Sequence, residues 1–201
     1  METLGEVLKY ELTRYRHPDQ RLVHYLEFRA ILKSINLSKG ASILDIPCGF
    51  GRFSIPLLRM GYRVVAADIS HAMVKRTREK VEVTGVVADI TSLPFRDRAF
   101  DAAVSIRLMQ HLDFDVAMRA VSELKRVSKR FVILTFYREN FLHRLERKLT
   151  GRKSGIRFFN AEKFVKSAGE IGLELVASRA PLGPIHAQTV LVFQVIPKPI
   201  K

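Results

Sequence analysis

The sequence predicts an α/β domain: a doubly wound, mostly parallel seven-stranded sheet that ends in an antiparallel hairpin and is preceded by a helical extension. Three observations predict it. Between residues 42 and 137, short apolar runs alternate with helix-period segments through short connections, the pattern of strands wound with helices on both faces. The first apolar run ends in an acid and a tight two-glycine turn, Asp45-Ile46-Pro47-Cys48-Gly49-Phe50-Gly51. The last third places two apolar runs in succession with no helix between them, which reads as a hairpin.

The elements follow in order. Residues 4–16 and 20–36 have helical periodicity; in the second, Leu22, Leu26, Ile31, Leu32 and Ile35 share a face. His17-Pro18-Asp19 separates them, because proline disfavours helix at the residue before it. Strands are expected at Ser42–Ile46, Arg63–Ala67, Val86–Ala88, Phe100–Ile106 and Arg130–Tyr137. Helices are expected at Phe53–Met60, from His71 to about Val81, and at Phe114–Arg126. A further helix spans Asn160–Ile171, with Asn160 as its N-cap. Leu173–Ser178 and Thr189–Val195 form the closing hairpin. The chain thus reads as one domain over residues 1–201: a helical extension (1–38), a core (41–137), a basic connector (138–159), and a C-terminal helix with hairpin (160–196).

Composition narrows the function classes. With 201 residues, 47% apolar, the chain can bury a full core but has little room for a second domain. No apolar run reaches the length of a membrane span. The start, Met1-Glu2-Thr3-Leu4-Gly5-Glu6, lacks the basic-then-apolar pattern of a secretory leader. Cys48, the single cysteine, has no internal disulfide partner. These features predict a cytoplasmic protein, with contact to the inner face of a membrane left open. The net charge of +14 is concentrated in the C-terminal half, most densely at Arg144, Arg147, Lys148, Arg152, Lys153 and Arg157. It reads either as a solvated basic face or as attraction for an anionic substrate, a nucleic acid or an anionic membrane surface.

Ligands of open parallel sheets bind outside the carboxyl ends of the strands. Asp45, Asp68, Asp89 and Ser105 fall at those ends. A carboxylate accepts two hydroxyl donors at once, so Asp68 suits a ribose diol. Asp89 can accept from an exocyclic amine, which favours adenine. Gly49 and Gly51 let a ligand approach bare backbone.

With these residues the chain resembles the class I S-adenosylmethionine-dependent methyltransferases. The motif-bearing match covers residues 41–137, and residues 160–196 match by topology. Asp45 through Gly51 resembles the family's first motif, although Pro47 stands where many members carry glycine. Asp68 matches the acid that binds the ribose hydroxyls, Ile69 the apolar residue that packs on adenine, and Asp89 the acid near the adenine amine, with Ile90 following. Leu93-Pro94-Phe95, Phe100-Asp101 and Gln110-His111-Leu112 resemble segments of ubiquinone- and menaquinone-biosynthesis methyltransferases. The resemblance implies a Rossmann-like methyltransferase fold and S-adenosylmethionine as cofactor, with S-adenosylhomocysteine (SAH) as product. The cofactor contacts it implies are Asp45, Pro47, Gly49, Gly51, Asp68, Ile69, Asp89, Ile90 and Ser105. It needs no metal. The first 38 residues would form a lid in which Tyr15 and Tyr25, with Tyr10 and His17, face the acceptor or else pack on the sheet edge. Arg107 is a candidate substrate contact and His111 a candidate general base; a surface role and a structural role are their respective alternatives.

Three other readings remain beside this one. A nicotinamide dehydrogenase also has a glycine turn and an acid about 20 residues on. It is disfavoured by Ser54 at the third glycine position, by the extra acid Asp89 and by the lack of room for a catalytic domain. A non-catalytic cofactor-binding or scaffold protein is kept open by Pro47, which lacks an N–H. Among methyltransferases, Ser105-Ile106-Arg107-Leu108 replaces the Asn/Asp-Pro-Pro-Tyr/Phe motif of adenine and glutamine N-methylation. The expected acceptor is therefore a small or lipid-linked molecule, anionic in view of the charge, with RNA as the alternative. Finally, Arg138–Lys166, with Gly151 and Gly155 inside it, is expected to be a mobile basic flap. Phe158-Phe159 at its end could stack on bases, sit at a membrane interface, or pack as a buried pair.

Overall fold

A computed structural model describes residues 37–137, 159–180 and 188–196, together with positions 5, 25, 26, 28, 29, 31, 32 and 157. Seven strands are present: β1 (Ser42–Asp45), β2 (Arg63–Asp68), β3 (Thr84–Val87), β4 (Phe100–Ser105), β5 (Ser128–Tyr137), β6 (Leu173–Arg179) and β7 (Gln188–Val195). Among the described residues, four α-helices are defined from end to end: α1 (Ser54–Arg59), α2 (His71–Lys80), α3 (Phe114–Val127) and α4 (Ala161–Glu170). The sheet order is β3-β2-β1-β4-β5-β7-β6. β1 to β5 run parallel to their neighbours, and β7 is antiparallel to both β5 and β6. The expected hairpin thus folds with its second strand innermost.

Strand alternation makes the sheet two-sided. Leu44, Ala103, Val132, Leu134, Phe136, Leu191 and Phe193 share one core with Val121 and Leu124 of α3 and Phe164 of α4. Ile43, Ala102, Val104, Ile133, Val190 and Val192 share the other with Phe53, Leu57 and Ile31. Both faces are covered, so the central strands are almost wholly apolar up to their polar ends, as buried parallel sheets require. Helical backbone at positions 25, 26, 28, 29, 31 and 32 agrees with the second predicted helix. No described helix is long and apolar enough to cross a membrane.

Capping explains where the helices begin. The Ser70 side chain accepts from the Met73 N–H at 3.3 Å at the start of α2. Asn160 does the same for the Lys163 N–H at 2.9 Å at the start of α4. Pro56 is tolerated in α1 because it lies in the first turn, where amide donors have no intrahelical partner.

Two of the segments that carried the family resemblance have structural jobs. Arg126 on α3 donates to Glu123 and Asp97 and to the carbonyls of Leu93 and Phe95, while Glu123 accepts from the Leu93 N–H at 2.7 Å. This clamp fixes the Leu93-Pro94-Phe95 loop, and the guanidinium holds the Glu123 carboxyl below its usual range. Asp101 lies near the amino end of β4. It accepts from the Ser42 N–H and hydroxyl, each at 2.8 Å, and so joins β4 to β1 away from any ligand.

The basic stretch divides into parts. Lys163 and Lys166 belong to the docked helix α4, so the stretch is not one flap reaching to Lys166. Phe159 is buried among Phe114, Phe136 and Phe164, with ring centroids 5.7–6.5 Å away, which rules it out as a base-stacking or membrane-facing residue. Residues 138–156, including Arg138, Arg144, Arg147, Lys148, Gly151, Arg152, Lys153 and Gly155, lie outside the described residues, as do Tyr10, Tyr15, His17 and Phe158.

Candidate active site

The site is assembled from β1 outward. Asp45 ends β1 and is fully buried. Its Oδ2 accepts from the Ser54 hydroxyl at 2.5 Å, while Oδ1 has no partner. Burial pushes this carboxyl up to about 7; the bond from Ser54 opposes the rise and the neighbouring Asp68 adds to it. Ser54 stands at the position where a dinucleotide fold has its third glycine, and here it is the buried anchor of the first acid.

The chain then turns back along β2. The Cys48 N–H donates to the Ala67 carbonyl at 2.8 Å. Gly49 and Gly51 adopt φ of 53° and 87°, the left-handed region that disfavours side chains. At Gly51 a Cβ would also press within 3.1 Å of Ile55 and Thr77, whereas at Gly49 it would meet nothing within 4 Å. Gly51 is therefore required by packing, and Gly49 faces open space that a ligand can enter. Helix α2 holds the loop's carbonyls: Thr77 Oγ1 donates to Gly49 at 2.9 Å and Lys80 Nζ to Phe50 at 3.1 Å. Pro47 is half-buried in the same loop. Cys48 packs with Ala66 and Val74, and burial raises its thiol far above the ordinary range. It is a packing residue, not a nucleophile.

Asp68 ends β2 and already has two tasks. Its Oδ2 accepts from the Gly49 N–H at 2.9 Å and its Oδ1 from the Ser70 N–H at 3.0 Å. One carboxylate thus ties the glycine turn to the strand end. Ile69, the next residue, is 72% exposed. A large apolar side chain bared at a strand end is a ready platform for a planar ring. Asp89 lies two residues beyond β3 and is exposed. Both of its bonds, from the Thr91 N–H and hydroxyl at 2.8 Å, fall on Oδ1, and they hold this carboxyl below its usual range. Oδ2 is left for an outside donor. Ile90, by contrast, packs its side chain into the core with Ala88 and Leu93.

The exit of β4 is built differently. Ser105 is fully buried and its hydroxyl has no partner. Arg107 sits at φ 59°, strained for a non-glycine residue. Two bonds hold it there: its N–H donates to Thr135 Oγ1 at 2.8 Å, and its carbonyl accepts from Gln110 Nε2 at 2.7 Å. Gln110 is 3% exposed, and its Oε1 has no partner. His111 is exposed on the short 3-10 turn Met109–His111. The Arg157 N–H reaches this turn through the Gln110 carbonyl at 2.7 Å, and its guanidinium pairs with Asp113. Tyr25 is 55% exposed with the Arg29 guanidinium 5.6 Å over its ring.

The arrangement brings together the Ser54–Asp45 pair and the Gly49–Asp68 pair, with Gly51 in the loop between them and the two carboxylates close enough to influence each other. Asp89 and Ile69 stand at the carboxyl ends of the next two strands. Sequence reasoning missed Ser54, Thr77, Gln110 and Thr135, which support the acids and the strained turn. Ser54 had a signal in its place in the glycine pattern and Gln110 in the Gln110-His111-Leu112 resemblance; Thr77 and Thr135 had none.

This geometry fits S-adenosylmethionine. The orphaned, buried Oδ1 of Asp45 suits a cation, the exposed Ile69 suits adenine, and the open side of Gly49 admits close approach. Residues 43–130 match a family described as a methyltransferase domain. A demethylmenaquinone methyltransferase of Mycobacterium marinum is 33% identical over 109 residues, covering 54% of this chain and 47% of that one. A tRNA (carboxymethyluridine(34)-5-O)-methyltransferase of Arabidopsis thaliana is 34% identical over 120 residues, covering 58% and 28%. The chain therefore spans half or less of the length of these relatives. In fold it is similar to the magnesium protoporphyrin IX methyltransferase of Synechocystis with bound SAH, at a TM-score of 0.74 and 18% identity, covering 96% and 100% of the two chains. Strand order, glycine loop, strand-end acids and family match agree: residues 43–130 are a methyltransferase domain, set in a sheet with the fold of the class I S-adenosylmethionine-dependent methyltransferases.

Proposed function

We propose that this chain transfers a methyl group from S-adenosylmethionine to a small or lipid-linked acceptor bound over the exits of β4 and β5. The observation that carries the reading is the unit of Asp45, Gly49 and Asp68, flanked by the exposed Ile69 and by Asp89 with its outward Oδ2. In this reading Asp68 holds the ribose hydroxyls, Asp89 and Ile69 hold adenine, and Asp45 faces the positive end of the cofactor. The bound cofactor supplies an activated methyl on sulfur. The protein's task is alignment for direct displacement, which can provide most of the acceleration. The strained Arg107 turn and Gln110 would position the acceptor, and His111 would take its proton.

A quinol is the concrete model for the acceptor, after the demethylmenaquinone in the first relative's name. RNA is the second reading, supported by the +14 charge and by the tRNA enzyme among the relatives. Peripheral contact with an anionic membrane would bring a basic protein to a lipid-linked acceptor.

Calorimetry with S-adenosylmethionine and SAH tests the cofactor; absence of binding at millimolar concentration would sink the whole reading. Transfer of labelled methyl to a lipid and metabolite extract, set against transfer to total RNA, tests the acceptor. Label is expected in the extract, and label confined to RNA would replace the first reading by the second.

A further inference from the structure

An open cavity of about 440 Å³ lies between α4 and the β5–β7–β6 edge of the sheet. Its walls are mainly apolar: Phe136, Val165, Leu175 and Leu191, with Ala161 at the start of α4. Thr189 also lines it. This residue is 5% exposed, and its hydroxyl has no hydrogen-bond partner. A buried polar group without a partner costs free energy, and one that lines an apolar cavity asks for a ligand atom.

The cavity is built into the fold. Behind it Phe136 stacks on Phe164, with centroids 5.5 Å apart and planes 10° apart, so one wall is rigid. The β6–β7 register slips between Leu175 and Ala177. In an unbroken strand, residues three apart face opposite sides. The bulge reverses that parity, which is how Leu175 and Ser178 both line the cavity while Ala177 packs in the opposite core.

The cavity also adjoins the site. Thr189 pairs with Phe136 across β5 and β7. Phe136 directly follows Thr135, whose hydroxyl holds the strained Arg107 turn. Thr135 and Phe136 face opposite sides of β5; the cavity lies on the α4 side of that strand, near its carboxyl end and next to β4.

We propose that this cavity binds the apolar portion of the methyl acceptor, an alkyl, prenyl or aryl group bearing one acceptor oxygen for the Thr189 hydroxyl. The inference rests on the methyl-transfer reading and specifies the acceptor's chemistry. Its size lies in the range of small-molecule pockets, which are apolar with a few placed polar groups. Glu162 and Lys166 stand at its edge, one helical turn apart.

The test uses the full chain with methyl-labelled Leu and Val and the probe 4-hexyloxyphenol, whose ether oxygen can meet Thr189. Saturable shifts are expected at Val165, Leu175 and Leu191. Thr189→Val, of equal shape, should weaken this probe about tenfold while leaving its all-carbon analogue 4-heptylphenol unchanged. Ala161→Phe, which fills the cavity, should abolish binding of both. S-adenosylmethionine affinity, measured calorimetrically on the same samples, should stay within twofold. Cofactor binding with no probe shifts at these three residues would overturn the cavity assignment and leave the methyl-transfer reading standing. Equal weakening of both probes by Thr189→Val would remove the oxygen-bearing ligand. Probe binding without any cofactor binding would sink the methyl-transfer reading, and the ligand's identity as acceptor with it.

Discussion

The two halves of the sheet's carboxyl edge are finished to different degrees. At β2 and beyond β3, Asp68 and Asp89 each accept two bonds from nearby donors, and the glycine loop is tied to β2 from below and to α2 from the side. At β4, β5 and β7, Ser105, Gln110 and Thr189 keep buried oxygens without partners, around a turn held at an unfavourable φ. The first half is organised before its ligand arrives, as suits a cofactor that never changes. The second holds its polar capacity in reserve for a molecule that must be recognised. Asp45 is the exception on the cofactor side, with one oxygen satisfied and one orphaned.

The largest effect should come from that exception. The Asp45 carboxyl titrates near 7 in the folded chain against 3.8 when exposed. The folded state thus holds a proton that the unfolded state releases. Stability from this group is complete below about pH 4, is lost as pH rises to 7 and is flat above. Asp45→Asn should therefore stabilise the ligand-free chain at pH 8 by about 4 kcal/mol, with the gain fading toward pH 4. The same substitution should abolish cofactor binding, and wild-type affinity should fall about tenfold per unit below pH 7. Thermal unfolding and calorimetry across pH 5–8 check both. A destabilised Asp45→Asn at pH 8 would show that the orphaned oxygen is satisfied in the native protein.

Next is Asp68→Ala, which removes both the proposed diol acceptor and the tie to the Gly49 N–H. It should weaken S-adenosylmethionine by about 1.5–3 kcal/mol, because bonds to a charged acceptor are lost. Cys48→Ala, in the same loop but packed away from the acids, should change affinity little. Equal losses in the two variants would mean that loop packing, rather than the carboxylate, sets affinity, and the contrast between a prebuilt and a reserved half would fail.

How much of each half was legible follows from how far apart its parts lie in the chain. Asp45, Gly49 and Gly51 fall within seven consecutive residues, and Asp68 and Asp89 each close an apolar run, so strand periodicity alone locates them. The N-cap at Asn160 was legible for the same local reason. Thr135 and Thr189 carry no such mark, and Gln110 is marked only by the resemblance of Gln110-His111-Leu112. Thr135 sits inside an unbroken apolar strand, and its partner Arg107 is 28 residues away. The place of β7 between β5 and β6, and the bulge that redirects Ser178, are set by pairing across the sheet and leave no periodic trace. Phe159 was misjudged in two of its three readings because its basic neighbours dominate the local sequence, while Phe114, Phe136 and Phe164, which bury it, are distant or sit beyond the helix cap.

The smallest effect should come from the reserved half, and it should be the more selective. Thr135 is fully buried and accepts the Arg107 N–H at 2.8 Å. Thr135→Val keeps the shape and removes the acceptor. The freed N–H and the relaxing φ at Arg107 should cost about 1 kcal/mol of stability. Turnover should fall while cofactor affinity holds, because Thr135 touches none of the three acids. Thr135→Ser restores the hydroxyl without the methyl, so it should recover turnover; a merely structural role for Thr135 would instead track packing and leave Thr135→Ser no better than Thr135→Val. The split to measure is kcat and KM for the acceptor against calorimetric affinity for S-adenosylmethionine in both variants. If Thr135→Val weakened the cofactor as much as the acceptor, the two halves of the edge would be one site, and the division drawn between them would not hold.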